Sequence, residues 1–138
     1  MTFQTLAPVR STRLNPYFPI PVPAGHSSTV EQQVEWINID EYLRSGSDAV
    51  AYIRVRGDSM VGDRISDGDI LVVQRCSAAR AGDVVIAEIN GEFTVKRLRE
   101  HSHGLYLVPA NDAYPLRKVS RQDSFAVWAV VKFVIHSF

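Results

Sequence analysis

Cysteine is almost absent from this sequence, since Cys76 is the only one among 138 residues. One thiol can form neither an internal disulfide nor a multi-cysteine metal site, so we expect a protein of the reducing cytoplasm with no metal and no cofactor. An excess of charge of one sign is also lacking, because Lys plus Arg and Asp plus Glu number 15 each. No overall positive field can hold the chain on phosphates, and we expect no direct sequence-specific DNA binding.

Long apolar runs are missing as well. No segment approaches the roughly 18 apolar residues of a membrane span, and the start of the chain lacks the apolar core of a signal peptide. We therefore expect a cytoplasmic chain without a membrane partner. A chain of 138 residues can bury one core and is too short for two ordinary domains.

Proline is concentrated at one end of the chain. Five of the seven prolines precede residue 24, where they remove backbone donors and exclude a helix or a central strand. Apolar residues between them, such as Phe18 and Ile20, indicate that this arm lies on a folded surface. The small residues around Ala24-Gly25 then favour a flexible boundary. We predict an extended proline-rich arm over residues 1–30 and one folded domain over residues 31–138.

The folded domain has mainly the pattern of β-strands. A short helix is predicted from Asn38 to Arg44, and short apolar strands follow at regular spacing from Ala51 onward. The last of them, Phe125 to Ile135, is apolar on both alternating faces, which is typical of a central strand or of an interface. The expected fold is therefore mainly β, with twisted antiparallel sheets, one short helix and the extended arm.

Asn90-Gly91 is the strongest local signal, because this pair is typical of a two-residue hairpin loop. The loop places Ile89 opposite Glu92, and counting outward places Lys96 opposite Val85, on an apolar face. Two interpretations of Lys96 are open. Desolvation would lower its pKa and let the amine act as a general base, or the side chain would extend to water from an edge strand.

Gly57-Asp58-Ser59-Met60 follows the first strand of the β region. Gly57 permits a sharp change of direction that can expose Ser59 and nearby backbone N–H groups, as a nucleophile requires. The same four residues also fit an ordinary surface turn. The pair His101 and His103 has no third ligand nearby, so we assign it to a solvated loop without metal.

Several blocks together resemble the LexA/UmuD family of self-cleaving peptidases. They occur in the family's order and spacing over roughly residues 30 to 136, and comprise Gly57-Asp58-Ser59-Met60, Ile65-Ser66-Asp67-Gly68-Asp69, Gly82-Asp83-Val84-Val85-Ile86-Ala87, Gly91-Glu92-Phe93-Thr94-Val95-Lys96-Arg97-Leu98 and Leu107-Val108-Pro109-Ala110-Asn111. The resemblance implies a serine endopeptidase with a Ser-Lys dyad, in which Ser59 is the nucleophile and Lys96 the general base.

The resemblance also implies a substrate, because members of the family cut their own arm between a small residue and glycine. Ala24-Gly25 is the only such pair before residue 30. A glycine without Cβ lets the backbone approach a nucleophile closely. Ala81-Gly82 has the same pair of residues, but it precedes a predicted core strand that should protect it.

The resemblance further implies a role in the SOS response. RecA filaments on single-stranded DNA would stimulate cleavage, and the shortened homodimer would serve a UmuC-like Y-family polymerase in translesion synthesis. The alternatives are a fragment of a LexA-type cleavable repressor and a soluble processing peptidase. LexA-type repressors carry a helix-turn-helix domain ahead of the peptidase region, whereas only about 30 proline-rich residues precede it here, so the repressor interpretation is disfavoured. Signal peptidases of similar fold need a membrane anchor, and we expect none, so the processing peptidase is the minor alternative.

Overall fold

The computed structural model describes residues 11–19, 21–25, 33–44, 46–47, 49–75 and 78–138. The chain divides into two compact units, Met1–Asp48 and Ala49–Phe138. The expected boundary between arm and folded domain near residue 30 lies outside the described residues, and it stays a prediction.

The first unit contains a small antiparallel strand pair. β1 (Asn15–Tyr17) pairs with β2 (Glu35–Ile37), and Pro16 lies opposite Trp36. A proline is tolerated here because each strand of a two-stranded sheet has a free edge. The sequence analysis did not predict this pair, since three-residue strands are too short to produce a clear alternation.

A short helix, α1 (Ile39–Arg44), follows β2. The Asn38 side-chain oxygen accepts hydrogen bonds from the N–H groups of Asp40 at 3.1 Å and Glu41 at 3.3 Å. Asn38 is thus the N-cap of the helix, which the sequence predicted from Asn38 to Arg44.

The second unit is built on one antiparallel sheet. Its strands, in chain order, are β3 (Val50–Arg54), β4 (Ile70–Gln74), β5 (Val84–Ile89), β6 (Glu92–His101), β7 (Gly104–Val108), β8 (Arg117–Lys118) and β9 (Phe125–Ile135). Across the sheet they follow the order β3-β4-β9-β5-β6-β7-β8. The mainly β fold with one short α-helix is confirmed within the described residues.

The β5–β6 hairpin has the predicted register. Val85 lies opposite Lys96 and Ile89 opposite Glu92. Asn90 and Gly91 have φ values of 51° and 82°, as a two-residue loop of this kind requires. A local turn signal therefore fixes which face of β6 carries Lys96.

The sheet has an apolar cluster on each face, because successive residues of a strand point to opposite sides. Val85 and Ile86 are adjacent, and both are buried. The cluster that contains Ile86 also contains Val55, Met60, Ile65, Leu71, Val73 and Ala129. The cluster that contains Val85 also contains Ala87, Ile89, Leu98, Leu107 and Val130.

β9 occupies the middle of the sheet, between β4 and β5. This position explains why its sequence is apolar on both faces. Its C-terminal end is less covered, since Val134 is 37% exposed and Ile135 40% exposed. Within the described residues, no helix is long and apolar enough to cross a membrane.

Candidate active site

Ser59 lies in a turn that leaves the end of β3. Gly57 adopts a φ of 91°, which favours glycine, and so changes the direction of the chain two residues before the serine. Met60, directly after the serine, is only 2% exposed and packs in the core cluster of Ile86. The half-buried Ser59 therefore lies between the turn at Gly57 and the buried side chain of Met60.

The turn before Ser59 is supported by the loop that precedes β4. The Asp67 carboxylate accepts a hydrogen bond from the Gly57 N–H at 2.7 Å, and Gly68 N–H donates to the Val55 carbonyl at 2.9 Å. Asp67 thus stabilises a turn, a common role of aspartate beside glycine.

The short 3₁₀ helix after Ser59, Val61–Asp63, is tied to β6. The Arg97 guanidinium contacts the Asp63 carboxylate through Nη2 at 2.9 Å and Nε at 3.1 Å, and Nη1 donates to the Gly82 carbonyl. A guanidinium with two contacts to one carboxylate has a defined geometry. The ion pair therefore connects the segment after Ser59 to the strand that carries Lys96.

Lys96 reaches Ser59 from the neighbouring strand. Its Nζ lies 3.1 Å from Ser59 Oγ, 2.7 Å from Thr94 Oγ1 and 3.0 Å from the Val95 carbonyl oxygen. Thr94 and Lys96 are two residues apart on β6 and so share a face. The structure brings together the two side chains that the sequence singled out, 37 positions apart.

The Lys96 amine is partly desolvated. Burial lowers its pKa below the ordinary value of 10.5, because a charged ammonium loses hydration in this position. A neutral amine has two N–H donors and one lone pair. Thr94 Oγ1 and the Val95 carbonyl can accept the two N–H groups, which directs the lone pair toward the Ser59 hydroxyl.

Two cavities adjoin the Lys96 side chain, and the first of them also adjoins Ser59. One, of about 310 Å³, is bounded by the turn with Gly57 and Ser59 and by Thr94 and Lys96 on β6. The other, of about 430 Å³, is bounded by Thr94 and Lys96 and by Leu107 and Leu116. Space for an extended peptide therefore exists beside the serine and the lysine.

Ala24 and Gly25 lie in the first unit, in an exposed bend of the chain. A Cβ added to Gly25 would meet no atom of the described residues within 4 Å. In the part of the chain that the structure describes, no group of three His, Cys, Asp or Glu side chains is arranged to hold a metal ion.

Sequence reasoning missed several groups around Ser59. The sequence does not indicate the contact between Thr94 Oγ1 and the Lys96 amine. Asn111 and Tyr114 contact Asp58 across 53 and 56 positions of sequence, and no local pattern indicates such contacts.

A serine hydroxyl hydrogen-bonded to a desolvated lysine amine, beside an open cavity, is an arrangement typical of hydrolases that use lysine in place of histidine. Residues 16–132 match the family described as Peptidase S24-like. The chain belongs to this peptidase family, and the family relationship inferred from its sequence blocks is confirmed.

Individual relatives agree with this assignment. The chain is 36% identical to Protein MucA from Salmonella typhimurium over 118 residues, which is 84% of this chain and 80% of MucA. It is 35% identical to Protein SamA from Salmonella typhimurium over 130 residues, which is 94% of this chain and 89% of SamA.

LexA repressors match over a shorter region. The LexA repressor of Delftia acidovorans is 45% identical over 75 residues, which is 54% of this chain and 34% of the repressor. The matched region thus covers about a third of that repressor.

Proposed function

We propose that the chain is a self-cleaving serine endopeptidase that cuts its own arm between Ala24 and Gly25. The observation that carries the proposal is the 3.1 Å contact between Lys96 Nζ and Ser59 Oγ in a partly desolvated setting. Membership of a peptidase family supports the reaction class.

In the first step, the neutral Lys96 amine takes the hydroxyl proton as Ser59 Oγ attacks the carbonyl carbon of Ala24. The carbonyl oxygen becomes an oxyanion. The Ser59 N–H has no acceptor among the described residues, and it is available as a donor to that oxyanion.

In the second step, the bond between the Ala24 carbonyl carbon and the Gly25 nitrogen breaks. The Lys96 ammonium gives its proton to the Gly25 nitrogen, which leaves as a free amine, and the arm stays on Ser59 Oγ as an ester. Water then attacks the ester while Lys96 again takes a proton. The bond between the Ala24 carbonyl carbon and Ser59 Oγ then breaks, and the Lys96 ammonium returns its proton to Ser59 Oγ. Ala24 is released as a carboxylic acid, which loses its proton to the solvent.

The biological role that we propose is in the SOS response. RecA filaments on single-stranded DNA stimulate cleavage in the cytoplasm, and the shortened homodimer is an accessory subunit of a UmuC-like Y-family polymerase in translesion synthesis. The exposed apolar end of β9, with Val134 and Ile135, supports a second copy of the chain as a partner.

A fragment of a LexA-type repressor is the second candidate, because the LexA repressor of Delftia acidovorans is 45% identical over the matched region. The longer matches to MucA and SamA, over 80% and 89% of those proteins, favour the first proposal. A processing peptidase acting on other proteins is a third possibility, and cleavage of an unrelated polypeptide by the purified protein would support it.

Removal of either member of the proposed dyad tests the reaction. We expect Ser59→Ala and Lys96→Met to reduce self-cleavage by more than about 100-fold, because a nucleophile and its base act as a unit. The purified proteins are incubated with RecA, single-stranded DNA and a nucleoside triphosphate, and the fragments are weighed by mass spectrometry.

Ser102→Ala and Lys118→Met are matched controls, because both residues are exposed and outside the site. They should be cleaved at the normal rate. Efficient cleavage of a folded Ser59→Ala protein would refute the mechanism.

A further inference from the structure

The loop between β7 and β8 holds the backbone around Ser59. The Ala110 N–H donates to the Ser59 carbonyl at 2.8 Å, and the Ala110 carbonyl accepts from the Gly62 N–H at 2.7 Å. A Cβ on Gly62 would lie 2.6 Å from the Ala110 oxygen, so this close approach requires glycine. Ala110 therefore forms hydrogen bonds to both ends of the turn from Ser59 to Gly62.

Two side chains of the same loop hold the residue before the serine. Asn111 Nδ2 donates to the Asp58 carbonyl at 3.0 Å, and Tyr114 Oη donates to the Asp58 carboxylate at Oδ1. Asn111 is itself oriented, because its Oδ1 accepts the Ala113 N–H at 3.0 Å. Asn111 and Tyr114, with Ala110, are called the 110–114 clamp below.

None of these contacts of Ala110, Asn111 and Tyr114 is made to Ser59 Oγ. They fix the carbonyl of Ser59 and both the carbonyl and the side chain of Asp58. The hydroxyl is left to the Lys96 amine. The clamp can therefore influence where the hydroxyl lies without taking part in proton transfer.

We propose that Asn111 and Tyr114 are positioning residues that hold Ser59 within reach of Lys96 by fixing Asp58. This inference rests on the proposed function, in which Ser59 is the nucleophile. Displacement of a reacting group by about 1 Å can slow a reaction by roughly 100-fold. Loss of one hydrogen bond from the clamp should therefore reduce the cleavage rate.

The contact with Asp58 also shifts the protonation of Tyr114. The hydrogen bond to Asp58, together with the negative charge of that carboxylate, raises the pKa of Tyr114 above its ordinary value. The phenol therefore keeps its proton, and remains a donor, up to a higher pH than an ordinary tyrosine. Tyr114 is 42% exposed, so loss of its hydroxyl should have little effect on the stability of the fold.

The test compares variants of Tyr114 and Asp58 by their self-cleavage rate against pH and by their melting temperature. Tyr114→Phe and Asp58→Ala should each slow cleavage by roughly tenfold, a partial loss of positioning. Asp58→Asn keeps an acceptor for the phenol and should stay within about threefold of the unaltered protein. Asn111→Leu, which removes the other side-chain bond, should also be slow. Tyr106→Phe, the same change on β7, should cleave normally.

A positioning role predicts two results that a merely structural role does not. The pH midpoint of the rate should be unchanged in Tyr114→Phe, since the base is intact. The double variant Tyr114→Phe/Asp58→Ala should be no slower than the slower single variant, because both changes remove one interaction.

The inference is overturned if Tyr114→Phe cleaves at the normal rate, or if the rate losses of Tyr114→Phe and Asp58→Ala multiply in the double variant. It is also overturned if the slower cleavage of these variants is fully explained by a smaller fraction of folded protein. Ser59→Ala in the same series separates this failure from that of the proposed function. If Ser59→Ala does not cleave itself and Tyr114→Phe cleaves at the normal rate, only the role of the 110–114 clamp is rejected. If Ser59→Ala cleaves itself, the proposed mechanism is rejected.

Discussion

At the scale of single residues, Lys96 shows how far local sequence determines chemistry. The Asn90-Gly91 loop predicts its position opposite Val85, and the structure has that register. The predicted apolar surroundings agree with the direction of the pKa shift, since burial lowers it. The contact with Ser59 spans 37 positions, and only the resemblance of the sequence blocks to a known family pointed to it.

If Lys96 is the base, cleavage without an activator should accelerate as the pH rises through the lowered pKa of its amine. Only the neutral amine accepts a proton, so the rate should level off above that pKa. Cleavage of the purified protein is followed by gel between mildly acidic and strongly alkaline pH. A rate that does not change over this range would argue against Lys96 as the base.

The same pKa can be measured without cleavage, in a Ser59→Ala background. Because the folded pKa of Lys96 lies below the unfolded value of 10.5, the unfolded state binds more protons between these two values. The stability of the protein relative to a Lys96→Met variant should therefore rise with pH in this window and be constant below it. Chemical unfolding at several pH values measures this difference, and its onset should match the midpoint of the cleavage rate.

At the scale of elements, the β5–β6 hairpin is anchored at its tip as well as by its strands. Asn90 Nδ2 donates to Asp123 Oδ1 at 2.8 Å, and Asn90 Oδ1 accepts the Ser124 N–H at 2.9 Å. Asn90 thus connects its turn to the start of β9. The sequence indicated the turn but not this second role, because the partners lie 33 and 34 positions away.

Other elements were beyond prediction for similar reasons. The β1–β2 pair joins two three-residue strands that lie on either side of Ala24-Gly25 in the sequence, and neither strand has a distinctive pattern. The strand order across the sheet inserts β9 between β4 and β5, which the two-sided apolar sequence of β9 allowed but did not require. Local periodicity therefore predicted most strands, whereas their long-range partners required the structure.

The hydrogen bond between Asn90 and Asp123, called the Asp123 anchor, should make the stability of the fold depend on pH in the acid range. Hydrogen bonds from the Ser120 N–H and the Asn90 amide lower the pKa of Asp123 to about 2, and the charge of Arg117 acts in the same direction. A carboxyl with a lowered pKa stabilises the fold above its unfolded value of 3.8, and this stabilisation is lost as the pH falls through about 2.

Asp123→Asn should therefore lower the melting temperature at neutral pH, and the difference should shrink as the pH falls from about 4 to about 2. Calorimetry or circular dichroism over this range measures it. Asp112→Asn is the control, because Asp112 is exposed and has no hydrogen bond or ion pair among the described residues. A difference for Asp123→Asn that stays constant down to pH 2 would contradict the anchor.

At the scale of the whole molecule, the proposed cut acts on the first unit. The Ala24-Gly25 bond lies between β1 and β2 along the chain, whereas the seven-stranded sheet lies in the second unit. The cut would thus leave β1 on the released arm, residues 1–24, and β2 on the remaining body, residues 25–138. Since no described residue lies within 4 Å of a Cβ at Gly25, we expect bulky residues at this position to leave the fold intact before cleavage.

We expect fragment masses that correspond to a single cut between Ala24 and Gly25. Gly25→Trp should block the cut through a clash beside Ser59, while Leu14→Trp, the same bulk at another exposed position, should not. A mixture of Gly25→Trp and Ser59→Ala proteins then separates cleavage within one chain from cleavage between chains. Cleaved Ser59→Ala chains in that mixture would show that one subunit can cut another.

The cut should also release the arm and leave the body intact. A pair of three-residue strands is marginal in water, and it keeps its pairing only while the chain holds β1 near β2 at a high effective concentration. Once the bond is broken, this effective concentration falls to the concentration of free arm, so β1 should dissociate. Hydrogen exchange before and after cleavage measures this: amides of Glu35–Ile37 should exchange faster, while those of β4, β5 and β9 should stay protected. Retained protection of Glu35–Ile37, or new exchange in the central strands, would show that the arm acts in another way.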